Sequence, residues 1–310
     1  MIANRFRAFY ESAPARSLIV AHRGDSCRAP ENTLEAATLA HGSGADAWEL
    51  DVRLTGDGVP VVIHDSSLLR TTDVARKFAG DPRARDGYRV ADFAWDEIRT
   101  LDAGSWFLGP EGGARSAAGF GSLDRIDEAS RQHLRSGSVR VPRLDEALDL
   151  TRRLDWMVNV EIKADVDDPG LALESALGSI RATGTADRVA ISSFDRAIVE
   201  RAGRLEPGVA LGMLVEAPPA GPISAFLGEL GADALHLSIE GFARLASGPL
   251  AEKAPAFDAP VLVYTVNDAG PSGWAGHLAG AGVIGLFTDD PASWISRGPL
   301  TPSSRRTRSR

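Results

Sequence analysis

The sequence has 310 residues, 44% of them apolar and 25% charged, and its 34 basic against 42 acidic side chains leave a net charge of −8. That balance suits a globular chain with a full core and excludes the broad positive surface that nucleic acid or anionic lipid would demand, so a phosphate-bearing ligand would need a local positive site. A single cysteine, Cys27, excludes an intrachain disulfide and fits a reducing compartment.

Residues 1–16 read as an N-terminal extension with no apolar stretch of the signal-peptide kind, and no later run is long enough to span a membrane; a cytoplasmic chain is the expectation. A first strand, SLIVAH (17–22), ends on His22 and Arg23. A polar loop, GDSCRAPENT, follows, and Asn32 with Glu35 three residues on forms a capping pair for a helix that stops at a glycine. AWELDV (47–52) is the second strand. VPVVIHD (59–65) comes too soon after it for a parallel crossover, and Gly56, Asp57 and Gly58 supply the turn of a hairpin.

Residues 66–141 are too many for an ordinary loop and predict a small insertion. One short helix is expected near AWDEIRTLD (94–102), beside an irregular Gly/Ser-rich stretch, GPEGGARSAAGFGS. PRLDEALDLTRRL (142–154) opens on proline and runs from acidic to basic, which matches a helix dipole. Further strands follow at 156–163, 188–194, 209–215, 233–239, 260–267 and 283–289, with helix-like stretches between them. Eight strands alternating with helices predict a closed (β/α)8 TIM barrel over residues 17–298, with the hairpin and the insertion rising after its second strand. TPSSRRTRSR, within 299–310, reads as a disordered basic tail.

In such a barrel the strand C-termini build the active site, so His22 and Arg23 stand at its mouth. Glu49 and Asp51 are two apart on the second strand and face the same way, and Glu161 and Lys163 repeat that relation on the neighbouring strand. Adjacent carboxylates inside a barrel repel and are costly to desolvate unless a cation neutralises them. Two readings follow: an oxygen-rich site for one hard divalent ion, Mg²⁺ or Ca²⁺, or a set of interior salt bridges joining Glu161 to Lys163 or Arg23. His64 ends the returning arm of the hairpin and comes back toward His22, and two imidazoles across one group can take and give protons near neutral pH. His41 and His277 fall in helical stretches, His133 in the irregular insertion, and His236 on the sixth strand reads as a hydrogen-bonded core residue.

Ten ordered blocks carry a family resemblance: HRG (22–24), PENT (30–33), ELDV (49–52), TGDG (55–58), VIHD (62–65), LLRTT (68–72), VEIK (160–163), SSF (192–194), TVN (265–267) and TDDP (288–291). In these the chain resembles the glycerophosphodiester phosphodiesterases. The resemblance implies metal ligands Glu49, Asp51 and Glu161, catalytic histidines His22 and His64, and phosphate contacts from Arg23 and Lys163. It implies metal-dependent hydrolysis of a small glycerophosphodiester, such as glycerophosphocholine, to glycerol phosphate and an alcohol. Tyr264 departs from the tryptophan usual in that family before TVN. The rival readings are a sphingomyelinase D-like phospholipase, which PENT and the glutamate of VEIK disfavour, and a non-catalytic phosphodiester-binding barrel, which retention of both histidines and all three acids disfavours.

Overall fold

The computed structural model describes residues 3–12, 16–109, 123–163, 168–246, 257–270 and 273–298. Nine strands form one sheet: β1 (Leu18–Ala21), β2 (Ala47–Leu54), β3 (Pro60–Val62), β4 (Met157–Ile162), β5 (Val189–Ser193), β6 (Ala210–Val215), β7 (Ala234–Ser238), β8 (Val261–Tyr264) and β9 (Gly285–Thr288). All but β3 run parallel, and β1 pairs with both β2 and β9, which closes the expected eight-stranded barrel. β3 pairs antiparallel with β2, Val52 opposite Val62, as the hairpin reading required.

Two-residue alternation along each strand divides the side chains between two cores. On β2, Trp48, Leu50 and Val52 pack outward against the ring of helices, together with Val158, Val160 and Ile162 of β4. Ala47 faces inward with Val20, Ala190, Ala210, Ala234 and Phe287. The same alternation sends Glu49 and Asp51 inward, so the outer packing of their neighbours is what aims both carboxylates at the barrel axis. Trp48 lies fully buried against Trp156, and its Nε1 donates to Thr151 Oγ1 at 2.9 Å.

The N-terminal extension closes the opposite end of the barrel. A helix over Arg5–Glu11 is capped by Asn4, whose Oδ1 accepts from the Phe6 and Arg7 N–H groups. The Asn4 amide nitrogen donates to the carbonyls of Ala186, Val189 and Gly208. Phe6 and Tyr10 thereby sit among the small inward alanines of the barrel floor.

Several local expectations change. Thr33, not Asn32, caps the helix Leu34–Gly42, accepting from the Ala36 N–H at 3.2 Å, because Asn32 adopts φ +59° and is drawn into the barrel. The helix after the insertion is Leu144–Arg153, capped at Arg143 by Glu146; Pro142 stays outside it because its carbonyl accepts the Val62 N–H. The helix near 94–102 shrinks to Trp95–Ile98. The insertion has its own core of Leu68, Val90, Phe93, Ile98, Leu101 and Phe107, into which Val61 and Ile63 of the hairpin project. His133 lies on a helix there, Glu128–Arg135, rather than in irregular chain, with Nε2 3.2 Å from Glu35 Oε1. The Gly/Ser-rich stretch from residue 110 to 122 and the tail 299–310 lie outside the described residues. Among the described residues no helix is long and apolar enough to cross a membrane.

Phe6→Ala removes the plug of the barrel floor and should cost about 3–5 kcal/mol of stability. A urea titration measures this, and kcat of the folded variant should stay at the wild-type value because Phe6 lies at the end of the barrel away from the mouth.

Candidate active site

At the C-terminal end of the strands a cavity of about 200 Å³ is lined on one side by His22, Arg23, Glu49, His64, Glu161 and Lys163 and on the other by Phe194, Leu214, Tyr264 and Phe287. The candidate catalytic, phosphate-contacting and metal-ligating residues converge here, with Asp51 in contact with Arg23 and Lys163.

The loop after β1 is built to reach this arrangement. Arg23 has φ +57° and Gly24 φ +83°, so the chain reverses as soon as the strand ends. A Cβ on Gly24 would lie 2.6 Å from the Ala36 carbonyl carbon, which is why only glycine lets the loop rest on the helix Leu34–Gly42. The reversal turns the Arg23 N–H onto Glu49 Oε2 at 2.9 Å. Farther along the loop, Asn32 donates from Nδ2 to Asp51 Oδ2 at 2.7 Å and accepts the Asp51 N–H.

One oxygen from each of Glu49, Asp51 and Glu161 lies within 4.8 Å of the others, and all three side chains are buried. The Lys163 ammonium bridges Asp51, at 2.6 Å, and Glu161. The Arg23 guanidinium lies 3.2 Å from Asp51 Oδ2 and donates to Glu31 at 2.8 Å. Of the two interior salt bridges anticipated from the sequence, Glu161–Lys163 forms, whereas Arg23 turns to Asp51 and Glu31 rather than to Glu161. Burial, then Asp51 and Glu161, push the Glu49 carboxyl well above its ordinary range; burial and Asp51 raise Glu161 as well. Burial would raise Asp51 too, but Lys163 and Arg23 outweigh it and hold that group low. Glu49 Oε1 is buried and has no hydrogen-bond partner among the described residues. An all-oxygen set carrying an orphaned carboxylate oxygen and more acids than the two adjacent bases fits a hard divalent cation.

Each histidine is held through Nδ1 by an aspartate. His22 Nδ1 lies 2.7 Å from Asp289 Oδ1, while its Nε2 is 4.0 Å from Glu49 Oε2. Asp289 also accepts from Ser26 Oγ and Asn267 Nδ2, both at 2.9 Å. Burial would raise Asp289, but the electrostatic attraction and hydrogen bond of His22, with the hydrogen bonds of Asn267 and Ser26, hold it far below the usual carboxylate range. His64 Nδ1 lies 2.7 Å from Asp65 Oδ1, and Asp65 is gripped in turn by Arg70. Sequence reasoning gave no role to Asp289, Asp65, Arg70, Glu31 or Asn267. Asp65 adjoins His64, which was a usable signal; Asp289 is 267 residues from His22 and meets it only because β9 closes onto β1.

His236 corrects another expectation. It is buried on β7, but neither ring nitrogen has a hydrogen-bond partner among the described residues; the ring lies against Gly212 and, edge-on, against Phe287. Burial lowers its pKa to about 3, so it stays neutral.

The model of the glycerophosphoryl diester phosphodiesterase family matches residues 22–293. A glycerophosphodiester phosphodiesterase of Caldanaerobacter subterraneus subsp. tengcongensis is 31% identical over 91% of this chain and 97% of its own length. One from Bacillus altitudinis is also 31% identical, over 88% of this chain and 94% of its own. Among solved structures, a phosphodiesterase of Oleispira antarctica in complex with the product sn-glycerol-3-phosphate superposes with a TM-score of 0.67 at 26% identity, covering 91% of this chain and 96% of that one.

Gly24→Ala forces a side chain into helix backbone at a left-handed φ and should cost at least about 2 kcal/mol. A lower urea midpoint by circular dichroism is the expected result; an unchanged midpoint would mean the loop can lift from the helix without penalty.

Proposed function

The chain belongs to the glycerophosphoryl diester phosphodiesterase family, and on that premise we propose that it hydrolyses small glycerophosphodiesters to glycerol phosphate and an alcohol, with His22 and His64 as its proton-transfer pair and one divalent cation, Mg²⁺ or Ca²⁺, held by Glu49, Asp51 and Glu161. The observation that carries this reading is two imidazoles lining one cavity, each tied through Nδ1 to a carboxylate, beside a buried carboxylate trio.

With Nδ1 occupied, Nε2 is the nitrogen left for proton transfer on each ring. One histidine removes the proton of the attacking oxygen and the other delivers a proton to the departing alcohol. A diester phosphate brings one negative charge, and Arg23 and Lys163 stabilise the charge that builds on its oxygens during displacement. A divalent cation in the carboxylate trio would neutralise those acids and draw charge from the phosphate. Cys27 is an unsuitable nucleophile: it is buried, and burial pushes its thiol up to about 12. A cytoplasmic site of action is part of the same reading, supported by this single cysteine in a chain without an apolar spanning helix among its described residues.

Product release from a panel of glycerophosphodiesters, with sphingomyelin included, tests the substrate class. Chelation should abolish turnover and added Mg²⁺ or Ca²⁺ should restore it; full activity in metal-stripped protein would remove the trio from the mechanism. His22→Ala and His64→Ala should each lower kcat by roughly two to four orders of magnitude without unfolding the barrel. Near-normal kcat in either variant would remove that histidine from the reaction.

A further inference from the structure

The return arm of the hairpin carries a second set of contacts that the reaction as described does not use. Arg70 reaches Asp65 through Nε, 2.6 Å from Oδ2, and through Nη2, 2.9 Å from Oδ1. Its Nη1 and Nη2 also donate to Glu31 at 2.7 and 2.8 Å. One planar guanidinium therefore makes four charge-assisted bonds to two carboxylates lying in different loops. Glu31 is almost wholly buried and accepts from Arg23 as well, so its position is set by the barrel mouth rather than by solvent. Asp65 Oδ1, the oxygen that Arg70 Nη2 holds, is the one facing His64 Nδ1.

We propose that Arg70 is a positioning residue for the reaction: anchored on Glu31, it fixes Asp65 and through it the ring orientation and tautomer of His64. The proposal rests on the proton-transfer role of His64 given above. Two facts separate this from general support of the hairpin. The backbone at His64 has its own anchor, since Arg53 Nε donates to the His64 carbonyl at 2.7 Å. The strand before it is held by the Val62 N–H on the Pro142 carbonyl and the Ile63 N–H on the Asp51 backbone carbonyl. What Arg70 adds is therefore the orientation of a side chain. His64 and Asp65 are both about one-third exposed, so without that hold the imidazole and its carboxylate are free to turn toward water.

A double-mutant cycle on kcat tests this, with thermal unfolding monitored for every variant. Arg70→Ala should lower kcat about 10- to 100-fold and change KM less than about threefold, yet cost less than about twofold more in a His64→Ala background, because groups that act as a unit do not add. Arg70→Lys keeps the charge but cannot serve both carboxylates, and should fall between wild type and Arg70→Ala; it replaces alanine in the cycle if Arg70→Ala does not fold. Equal losses in the wild-type and His64→Ala backgrounds, or wild-type kcat in Arg70→Ala, would overturn the assignment. Wild-type kcat in His64→Ala would instead show that the proton-transfer role of His64 is wrong, and the positioning role would fall with it; which single variant is silent tells the two failures apart.

Discussion

Three carboxylates held within 4.8 Å of one another inside a barrel are the constraint around which the mouth of this molecule is built. Desolvated acids at that spacing repel, and each needs donors or a cation to remain ionised. The chain supplies donors unequally. Among the described residues Asp51 has Asn32, Arg23 and Lys163 against it, whereas Glu49 has one backbone N–H and one oxygen with no partner. The pKa directions follow that inequality, Asp51 low and Glu49 high. The left-handed residues at Arg23, Gly24 and Asn32 are the backbone consequence: only a chain that reverses at once after β1 can point an N–H at Glu49 and an amide at Asp51.

Much of this was legible in the sequence because periodicity reports which face a residue occupies. Glu49 and Asp51, two apart between apolar neighbours, had to share a face, and the short connection before residue 59 had to be a hairpin. Local patterns failed where two adjacent residues met the same chemical requirement. Asn32 and Thr33 can both cap a helix, and the choice was made by Asp51 on the neighbouring strand β2. Long-range partners were not legible at all. Asp289 carries no mark of its task until β9 docks beside β1, and the aromatic residues at 6 and 10 are meaningless until the floor of alanines they fill exists. His236, without a hydrogen-bond partner among the described residues, departs from the ordinary rule that buried polar groups find one, a rule with no sequence signature for its exceptions.

The insertion explains how one histidine can belong to the barrel mouth without belonging to a barrel strand. Val61 and Ile63 alternate into the insertion core, while Val62 joins the ring of residues around the barrel. The hairpin is thus packed from both sides just before His64. The two histidines consequently depend on different kinds of support. Asp289 is the less exposed of the two and is gripped by neutral donors from Ser26 and Asn267, whereas Asp65 is more open and relies on a charged arginine. Screening by salt weakens exposed charge pairs more than hydrogen bonds from neutral donors, so the His64 arm is the more sensitive of the two to ionic conditions.

Charge is also divided around the barrel circumference. His22, Arg23, Glu49, Glu161 and Lys163 come from β1, β2 and β4 or the residues directly after them, which are consecutive in the closed sheet. The facing wall, Phe194, Leu214, Tyr264 and Phe287, comes from β5, β6, β8 and β9 or the residue directly after a strand. Tyr264 is fixed in that wall by its hydroxyl, which donates to the Val215 carbonyl at 3.1 Å, and by an edge-to-face contact with Phe194. On β7, which completes that side, His236 is kept neutral by burial and adds no charge. The cavity therefore sets an ionic wall against an apolar one. A phosphodiester, with its charge confined to one group and organic arms on either side, can satisfy both walls at once, whereas a free inorganic phosphate can satisfy only the first.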